Sequence, residues 1–378
     1  QCGIAAINSG ADAVYIGANL FGARIKASNN ISDIEKLTTY AHKYFAKVYV
    51  TLNTLIKEDE LKILQQTIDN LAYTNIDAII FQDMAIAEMN THNIPLHVST
   101  QNNNSNINEI IFLQNAGFKR VILPRELSLN QITEFRKKTT IELECFIYGA
   151  ICMSASGICY LSYVSSNRSG NRGDCTQPCR HLYSIYDANN NLIAKDKYIL
   201  SLKDLNLSDH LEKLIKLGIN AFKIEGRLKD IDYVKNITTF YRQKIDIIIK
   251  NSNTKKASSG NVYAFFSPNI YKTFNRGYTD YLFIERKKNT ATINSPKSIG
   301  EFIGIVKKSS AGSFVLSNNP NLSKGDGICF LFNNELIGTS IIDIKQNIIF
   351  INKEIKIPLN TKIYRNLDLK FHKLLLKN

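Results

Sequence analysis

Short apolar runs alternate with amphipathic segments along the first 250 residues of this 378-residue chain. The seven runs resemble strands, and they end at Gly17, Asn53, Asp83, Gln101, Glu126, Gly149 and Arg227. Between them lie stretches with helical periodicity, such as 58–75 and 108–117. Strands that alternate with helices indicate βαβ units and a parallel sheet. The pattern predicts the α/β class and a (β/α)8 TIM-like barrel over residues 1–250, whose first strand is expected before Gln1.

The periodicity changes after residue 250. Residues 251–260 have the composition of a linker, and we expect 251–295 to form a linker and an extended segment. Short apolar runs then follow at intervals of about 8–12 residues, which is typical of a small all-β barrel. We place this second domain at residues 296–366 and a tail at residues 367–378.

Polar side chains collect at the carboxyl ends of the predicted strands. They are Asn53, Gln82, Asp83, Ser99, Thr100, Gln101, Arg125, Glu126, Glu225 and Arg227. In a (β/α) barrel this end carries the active site. An open parallel sheet also binds its ligands at the carboxyl ends of the strands. The expectation of a functional face here is therefore the same for both architectures.

The chain carries an excess of basic residues. Its 47 Lys and Arg against 33 Asp and Glu give a net charge of +14. A surplus of this size favours a polyanionic partner, because phosphate neutralisation supplies most non-specific affinity for nucleic acid. The alternative is a general bias toward Lys and Asn, which are abundant here. No stretch of 18 apolar residues appears, so no membrane span is expected.

Four of the seven cysteines fall within 28 residues, in a predicted insertion at residues 150–205. Their spacing is Cys-x6-Cys-x15-Cys-x3-Cys, and they are Cys152, Cys159, Cys175 and Cys179. Four thiolates suit an all-cysteine zinc site or an iron–sulfur cluster. Zinc sites usually show two closely spaced pairs, whereas only the last pair is close here. The spacing favours an iron–sulfur cluster and leaves zinc and no metal as alternatives.

The number of cysteines and the pattern of the first residues indicate the cellular compartment of the protein. Seven cysteines is an odd number, and the first residues lack the pattern of a signal peptide. Both observations predict a reducing cytoplasm and argue against a disulfide framework. Cys145 shares a strand face with apolar residues, so we expect it to be a buried small hydrophobic residue, and we interpret Cys2 and Cys329 in the same way.

Two stretches carry charges suited to anions. Residues 167–173, NRSGNRG, include Arg172, and arginine forms paired hydrogen bonds with carboxylates and phosphates. The alternative is a solvated loop. The run KIEGR, residues 223–227, ends the last strand with Lys223, Glu225 and Arg227, and charged groups after such a strand are expected to be functional.

Arg125 and Glu126 follow the same logic at the end of another strand, with the alternative that they pair with each other. His97 lies within a strand and is expected to be a core or rim histidine rather than a ligand. The sequence contains no Ser/His/Asp arrangement, HExxH motif or P-loop, so nothing in it supports a standard protease mechanism.

The stretch ELECFIYGAICMSASGICYLS resembles the collagenase-like peptidase family of unassigned catalytic type, peptidase family U32. Glu144, Phe146, Gly149, Cys152, Cys159 and Ser162 match the family pattern there. Other family motifs are ADAVYIG, FGAR, STQ, RELSL, NRGDCTQPCR, LSLKD and FKIEGR. The resemblance covers nearly the whole chain, and it is strongest to the branch that forms 5-hydroxycytidine in 23S ribosomal RNA.

The resemblance implies a [4Fe-4S] cluster held by Cys152, Cys159, Cys175 and Cys179, and dependence on prephenate as a co-substrate. Two carboxylates call for arginines. We expect the following catalytic residues: Arg125, Glu126, Glu225 and Arg227. We expect the following residues to bind the cofactor or co-substrate: Asn53, Gln101, Arg172 and Lys223.

The predicted activity is a cytoplasmic, prephenate-dependent hydroxylation of ribosomal RNA. Acting on a base requires that the base leave its stack. The basic β domain and the linker would hold RNA phosphates. Three alternatives stay open: a tRNA wobble 5-hydroxyuridine synthase of the same family, a collagenase-like peptidase, and a non-catalytic RNA-binding assembly factor.

Overall fold

The computed structural model describes residues 1–23, 28–226, 228–252, 254, 256, 258–286, 289–333 and 335–377. Arg227, which the sequence predicts to be catalytic, lies outside these residues. The helices are α1 Cys2–Asn8, α2 Ile31–His42, α3 Leu61–Ala72, α4 Ile107–Asn115, α5 Leu129–Lys138, α6 Leu161–Ser166, α7 Leu211–Lys216, α8 Ile231–Lys250 and α9 Leu369–Leu376.

Strands before residue 300 are β1 Ala13–Ala18, β2 Ser28–Asn29, β3 Lys47–Leu52, β4 Ala78–Phe81, β5 Leu96–Val98, β6 Arg120–Ile122, β7 Glu142–Gly149, β8 Tyr183–Tyr186, β9 Leu192–Lys197, β10 Asp204–Asn206, β11 Ala221–Ile224 and β12 Tyr278–Thr279. The later strands are β13 Glu301–Ser310, β14 Ser313–Leu316, β15 Gly327–Phe332, β16 Glu335–Lys345, β17 Ile348–Ile351 and β18 Lys362–Leu367.

The main sheet contains a run of seven parallel strands in chain order, namely β1, β3, β4, β5, β6, β7 and β11. The seven apolar runs of the sequence therefore form the predicted parallel sheet. Every residue of β4 is buried, as are all but the first of β3 and of β7. Burial on both faces explains why these strands appear as continuous apolar runs. In the described part of the chain, β1 and β11 share no ladder.

Side chains of β1 and β11 nevertheless approach each other inside the sheet. Lys223 on β11 places its Nζ 3.6 Å from the ring centroid of Tyr15 on β1. The carboxylate of Glu144 on β7, which is 2% exposed, accepts from the Tyr15 hydroxyl and lies 4.0 Å from Lys223 Nζ. Its second oxygen accepts from Arg120 at 3.2 Å. A polar cluster thus links side chains of β1, β6, β7 and β11.

The helices begin where the sequence supplies capping side chains. Ser128 at the start of α5 accepts from the Gln131 N–H, and the Gln131 side chain accepts from the Ser128 N–H. This reciprocal capping satisfies two backbone donors that a helix start leaves without partners. Within the described part of the chain, none of the helices combines the length and apolar character that crossing a bilayer requires.

The second unit is a closed antiparallel barrel in the order β13-β14-β17-β16-β15-β18. The predicted small all-β barrel is confirmed. Its interior is apolar and includes Phe314, Ile328 and Phe330, each at most 1% exposed. The following helix α9 packs against α8, where Lys235 donates to the carbonyl of Leu375 at 2.7 Å.

The segment between the two units, predicted to be extended, joins the main sheet. Its strand β12 pairs in parallel with β10, which is antiparallel to β7. Arg276 donates to Asp204 of β10 at 3.0 Å. Further along, the carbonyl of Phe283 accepts from the N–H of Leu129 at the start of α5 at 2.8 Å. Residues 276–283 therefore cross the carboxyl end of the sheet from β10 to α5.

Candidate active site at the carboxyl ends of the strands

Residues 150–180, which we call the cysteine segment, lie across the carboxyl ends of several strands. Ser156 donates to the Glu126 carboxylate beyond β6 through both its N–H and its hydroxyl, the latter at 3.1 Å. Arg172 donates to Glu60 at 3.0 Å and to the carbonyl of Leu55 at 2.7 Å, both in the loop after β3. These contacts anchor the segment at two separate strand ends.

Gly157 allows the closest of these approaches. It has a φ of +77°, and a Cβ built on it would lie 1.9 Å from the carbonyl oxygen of Gln101, which follows β5. Only a residue without a side chain fits between the segment and this backbone. Gln101 therefore meets the cysteine segment through its main chain.

The helix α6 organises the cysteines from inside the segment. Ser162 is completely buried, and its Oγ accepts from the N–H of Thr176 at 3.1 Å. The same hydroxyl donates to Cys175 Sγ at 3.6 Å, and the N–H of Gln177 donates to that sulfur at 3.3 Å. Two donors thus stabilise negative charge on the Cys175 sulfur.

All seven cysteines are free thiols. Burial raises the pKa of Cys179, and the charges of Cys152, Cys159 and Cys175 raise it further against the opposing effect of Arg180. The four thiols therefore act on one another electrostatically. In number and kind they fit a four-thiolate site, although within the described ranges no three Cys, His, Asp or Glu side chains converge into a ready metal site.

The other cysteines differ from one another. Cys145 on β7 and Cys329 on β15 are 3% and 1% exposed, as predicted. Burial raises the pKa of the Cys329 thiol to about 12, so it stays protonated. The prediction that Cys2 is buried is wrong, because Cys2 begins α1 on its solvent-facing side and is exposed.

Arg125 lies near the centre of this end of the sheet. Its guanidinium carbon is 3.5 Å from the ring centroid of Phe146, and it reaches Glu225 Oε2 only at 3.5 Å. The buried Nε of Arg125 has no hydrogen-bond partner. The alternative that Arg125 pairs with Glu126 is wrong, since Glu126 is held by Ser156. A buried donor atom without a partner, on an arginine that is itself partly exposed, is well suited to a ligand oxygen.

Gly149 brings Glu225 to this position. The residue ends β7 with a φ of +110°, and a Cβ on it would lie 2.6 Å from the carbonyl oxygen of Glu225. The N–H of Glu225 donates to the carbonyl of Tyr148 at 2.9 Å, which continues the pairing of β11 with β7. The two strand ends are therefore in direct backbone contact beside Arg125.

The remaining predicted binding residues have structural partners. Asn53 accepts from the N–H of Ala23 at 3.1 Å and donates to the Ser99 hydroxyl at 3.2 Å, which links the ends of β3 and β5. Hydrogen bonds from Arg172 hold the pKa of Glu60 below its usual range. Lys223 belongs to the polar cluster inside the sheet. The structure thus brings Arg125, Glu126 and Glu225 together with the cysteine segment, and Lys223 lies deeper.

Sequence reasoning missed two residues here. Tyr281 has a φ of 56°, which is rare for a bulky residue, and the charges of Glu126 and Cys152 act on its phenol. Lys229 packs over the ring of Phe274, and burial lowers its pKa to about 8. Tyr281 lies within the segment that was predicted to be extended, and Lys229 lies in a loop, so no periodicity marks either residue.

The sequence profile of peptidase family U32 matches residues 1–293. The chain belongs to this family. It is 44% identical over 334 residues to the 23S rRNA 5-hydroxycytidine synthase of Escherichia coli, which is 88% of this chain and 51% of that protein. An uncharacterised protease of Methanocaldococcus jannaschii is 36% identical over 75% of this chain and 71% of its own length.

A third relative is the tRNA hydroxylation protein P1 of Bacillus subtilis, which is 34% identical over 80% of this chain and 73% of its own length. The chain spans about half the length of the Escherichia coli relative. Names of U32 members therefore include two RNA-hydroxylation activities and a protease.

Proposed function

We propose that this chain is an RNA hydroxylase that forms 5-hydroxycytidine in 23S ribosomal RNA. The observation that carries the proposal is the 44% identity to a relative named for that reaction, which extends over 88% of this chain. The net charge of +14 favours a polyanionic substrate. An enzyme with this substrate works in the cytoplasm, which is the compartment we propose.

The reaction replaces a hydrogen on C5 of the base by a hydroxyl group. The change is a two-electron oxidation of the base, so it needs a source of the oxygen atom and an acceptor for two electrons in addition to the side chains of this site. The target base also has to leave its stack to reach a protein side chain. The carboxyl end of the sheet, with Arg125 and Glu225 beside the cysteine segment, is the place we propose for the flipped base.

A [4Fe-4S] cluster held by Cys152, Cys159, Cys175 and Cys179 is the cofactor we propose. Bound there, it would supply electron transfer or Lewis-acid chemistry. Four free thiols in one segment support this assignment, as do the two hydrogen bonds that Cys175 receives. Anaerobic purification followed by iron and sulfide analysis tests it, and a colourless protein with stoichiometric zinc would overturn it.

Prephenate is the co-substrate we propose, and Arg125 is its best candidate ligand. The Nε of Arg125 is buried without a partner, whereas Arg172 already donates to Glu60 and Leu55. A hydrogen bond between charged groups is worth about 1.5–3 kcal/mol, so Arg125→Gln should raise the Kd for prephenate about tenfold or more. Arg136→Gln is the control, because Arg136 donates to the carbonyl of Ile141 at the opposite end of the sheet.

We also propose that the seven parallel strands belong to an eight-stranded (β/α) barrel. Their chain order supports this, as does the contact of α1 with α8 beside the interval between β1 and β11. Lys223 and Tyr15 meet across the same interval. An experimental structure in which these strands have a different order would contradict the proposal.

Hydroxylation of tRNA is the second candidate, supported by the Bacillus subtilis relative. Peptidase activity has less support. Four of the six histidines pair with aspartates: His42 with Asp77, His92 with Asp69, His210 with Asp280, and His372 with Asp232. None of these four pairs includes a serine or a thiol that a histidine base would activate.

Mass spectrometry of nucleosides from a strain that lacks the protein tests the proposal. Loss of 5-hydroxycytidine from ribosomal RNA, restored by the wild-type gene and not by Cys152→Ser, is the expected result. Loss of 5-hydroxyuridine from tRNA would instead assign the protein to the second candidate. Unchanged RNA with proteolysis that survives Cys152→Ser would support the peptidase.

A further inference from the structure

The short helix α6, with Tyr160 directly before it, buries a serine and exposes large apolar side chains. Ser162, inside the helix, is completely buried, whereas Tyr160, Tyr163 and Val164 are 59%, 57% and 83% exposed. The three exposed residues are spaced i, i+3 and i+4, which places them along one side of the helix. A helix on a globular protein normally buries its apolar side and exposes its polar side.

The side of α6 that faces the protein is held by hydrogen bonds to Cys175 and its neighbour Thr176. Ser162 uses its lone pairs to accept from the N–H of Thr176 at 3.1 Å and from the Thr176 hydroxyl at 3.3 Å. Its single hydroxyl hydrogen is then left for the sulfur of Cys175. These hydrogen bonds fix the rotation of the helix, so the aromatic side points away from the body of the protein as a consequence.

We propose that Tyr160 and Tyr163 stack on unpaired bases of single-stranded RNA beside the target nucleotide. The inference rests on the proposed function and names the RNA contact of that site. Exposed tyrosine rings offer faces on which any base can stack. The helix LSYVSS carries no carboxylate that would repel phosphates, and the chain has a net charge of +14.

The position of the helix supports this occupant. Tyr160 directly follows Cys159, and the cysteine segment is docked on the strand ends through Glu126 and Glu60. A nucleotide that enters the carboxyl end of the sheet must therefore bring its neighbours past this segment. Those neighbours are unstacked when the target base is flipped out, and so they present free faces.

A protein partner fits the exposed side of α6 less well. Stable protein interfaces bury about 800 Å² on each partner. The large exposed side chains here are Tyr160, Tyr163 and Val164, and the other exposed residues of the helix are the small Ser165 and Ser166. Two tyrosine rings are enough to stack on two bases, whereas their combined area is only a small part of what a protein interface buries.

The test measures RNA affinity of the purified protein by fluorescence anisotropy. The probe is a labelled single-stranded RNA of about 12 nucleotides, within the range that such surfaces cover. The variant Tyr160→Ala/Tyr163→Ala is compared with Tyr44→Ala/Tyr73→Ala. The latter pair is 57% and 83% exposed and lies after α2 and α3, at the opposite end of the sheet.

We expect the first variant to lose about fivefold or more in affinity for each ring removed, and the second to keep the wild-type affinity. Binding to a duplex of the same length should not change, because paired bases offer no free faces. Equal affinity of both variants for the single strand would overturn the inference, as would loss of self-association without loss of RNA binding. A stacking defect in the purified variant, together with an unchanged 5-hydroxycytidine content in the strain that lacks the protein, would overturn the proposed function and not this surface.

Discussion

Arg120 and Glu144 form an ion pair between β6 and β7 of the parallel sheet, with 3.2 Å between Arg120 Nη1 and Glu144 Oε2. The same guanidinium donates through Nη2 to Glu142 at 2.7 Å. The two carboxylates differ in environment, because the side chain of Glu144 is 2% exposed and that of Glu142 is 48% exposed. One arginine therefore offers a direct comparison of a buried and an exposed ion pair.

Replacing the buried carboxylate should cost far more than replacing the exposed one. Glu144→Gln leaves the charges of Arg120 and Lys223 without their buried counter-ion, and breaking such a pair costs about 3–5 kcal/mol. Glu142→Gln should cost about 0–1 kcal/mol, because solvent screens an exposed pair. Urea denaturation measures both values, and equal losses would contradict this account of the cluster.

The folded protein should lose stability in acid through His97. Burial, with the charges of Arg120, Lys47 and Lys223, lowers the pKa of His97 to about 3. An unfolded histidine titrates near pH 6.5, so between about pH 6.5 and 3 the unfolded chain binds the extra proton. This group alone should decrease the free energy of unfolding by up to about 1.4 kcal/mol per pH unit as the pH falls through that range.

The measurement is the free energy of unfolding of wild type and His97→Phe from pH 7 to 4. The free energy of unfolding of wild type should fall toward that of His97→Phe as the pH falls, because only histidine gains a proton on unfolding. His92→Asn is the control, since His92 is exposed and paired with Asp69. A difference between wild type and His97→Phe that does not vary with pH would show that His97 is not held neutral by the fold.

Gly157 should tolerate no side chain, in contrast to a glycine with a similar backbone conformation. Gly157→Ala places a Cβ 1.9 Å from the Gln101 carbonyl oxygen, whereas Gly117, with a φ of +87°, has no atom within 4 Å of its Cβ position. Both variants bear the backbone cost of alanine at positive φ, roughly 1 kcal/mol.

Only Gly157→Ala should also displace the cysteine segment. Limited proteolysis between residues 150 and 180 reports this, as does the iron and sulfide content after anaerobic purification. Faster cleavage in Gly157→Ala and wild-type cleavage in Gly117→Ala are expected. Identical behaviour of the two variants would mean that the segment does not dock against Gln101.

Ser162→Ala should weaken the retention of the proposed iron–sulfur cluster. The change removes the hydroxyl donor to Cys175 and the acceptor of the partly buried N–H of Thr176, which costs about 0.5–1.5 kcal/mol. We expect a shorter half-life of the iron–sulfur absorbance in the presence of a chelator. Ser165→Ala is the matched control, because Ser165 is exposed on the same helix. Equal half-lives would exclude a role of Ser162 in holding the cysteines.

Much of the fold follows from the local pattern of the sequence. Strands buried on both faces must be apolar throughout, so the seven runs of the parallel sheet were recognisable one by one. Their order in the sheet equals their order in the chain, as expected for short connections between neighbouring strands. Cys145 is buried because it lies on a strand that is buried on both faces. Cys2 is exposed, and its two neighbours along the chain do not reveal which side of α1 faces solvent.

The partners of the polar side chains followed from the tertiary structure alone. Arg125 and Arg172 are equivalent in the sequence, yet Arg172 is engaged by Glu60, 112 residues away, and the Nε of Arg125 has no partner. Glu126 is held by Ser156 rather than by its neighbour Arg125. Periodicity describes which side of an element a residue occupies, and it carries no information on which distant element lies opposite.

The sequence by itself determined the parallel sheet, the small β barrel and the gathering of four cysteines in one segment. Each of these depends on residues that are near one another in the chain or on the burial of a whole strand. Only the tertiary structure decided that the cysteine segment docks on the strand ends, that its helix turns Ser162 inward, and that Tyr160 and Tyr163 face solvent. The reason is that hydrogen bonds act over about 3 Å, so their partners are set by the packing of elements far apart in the chain.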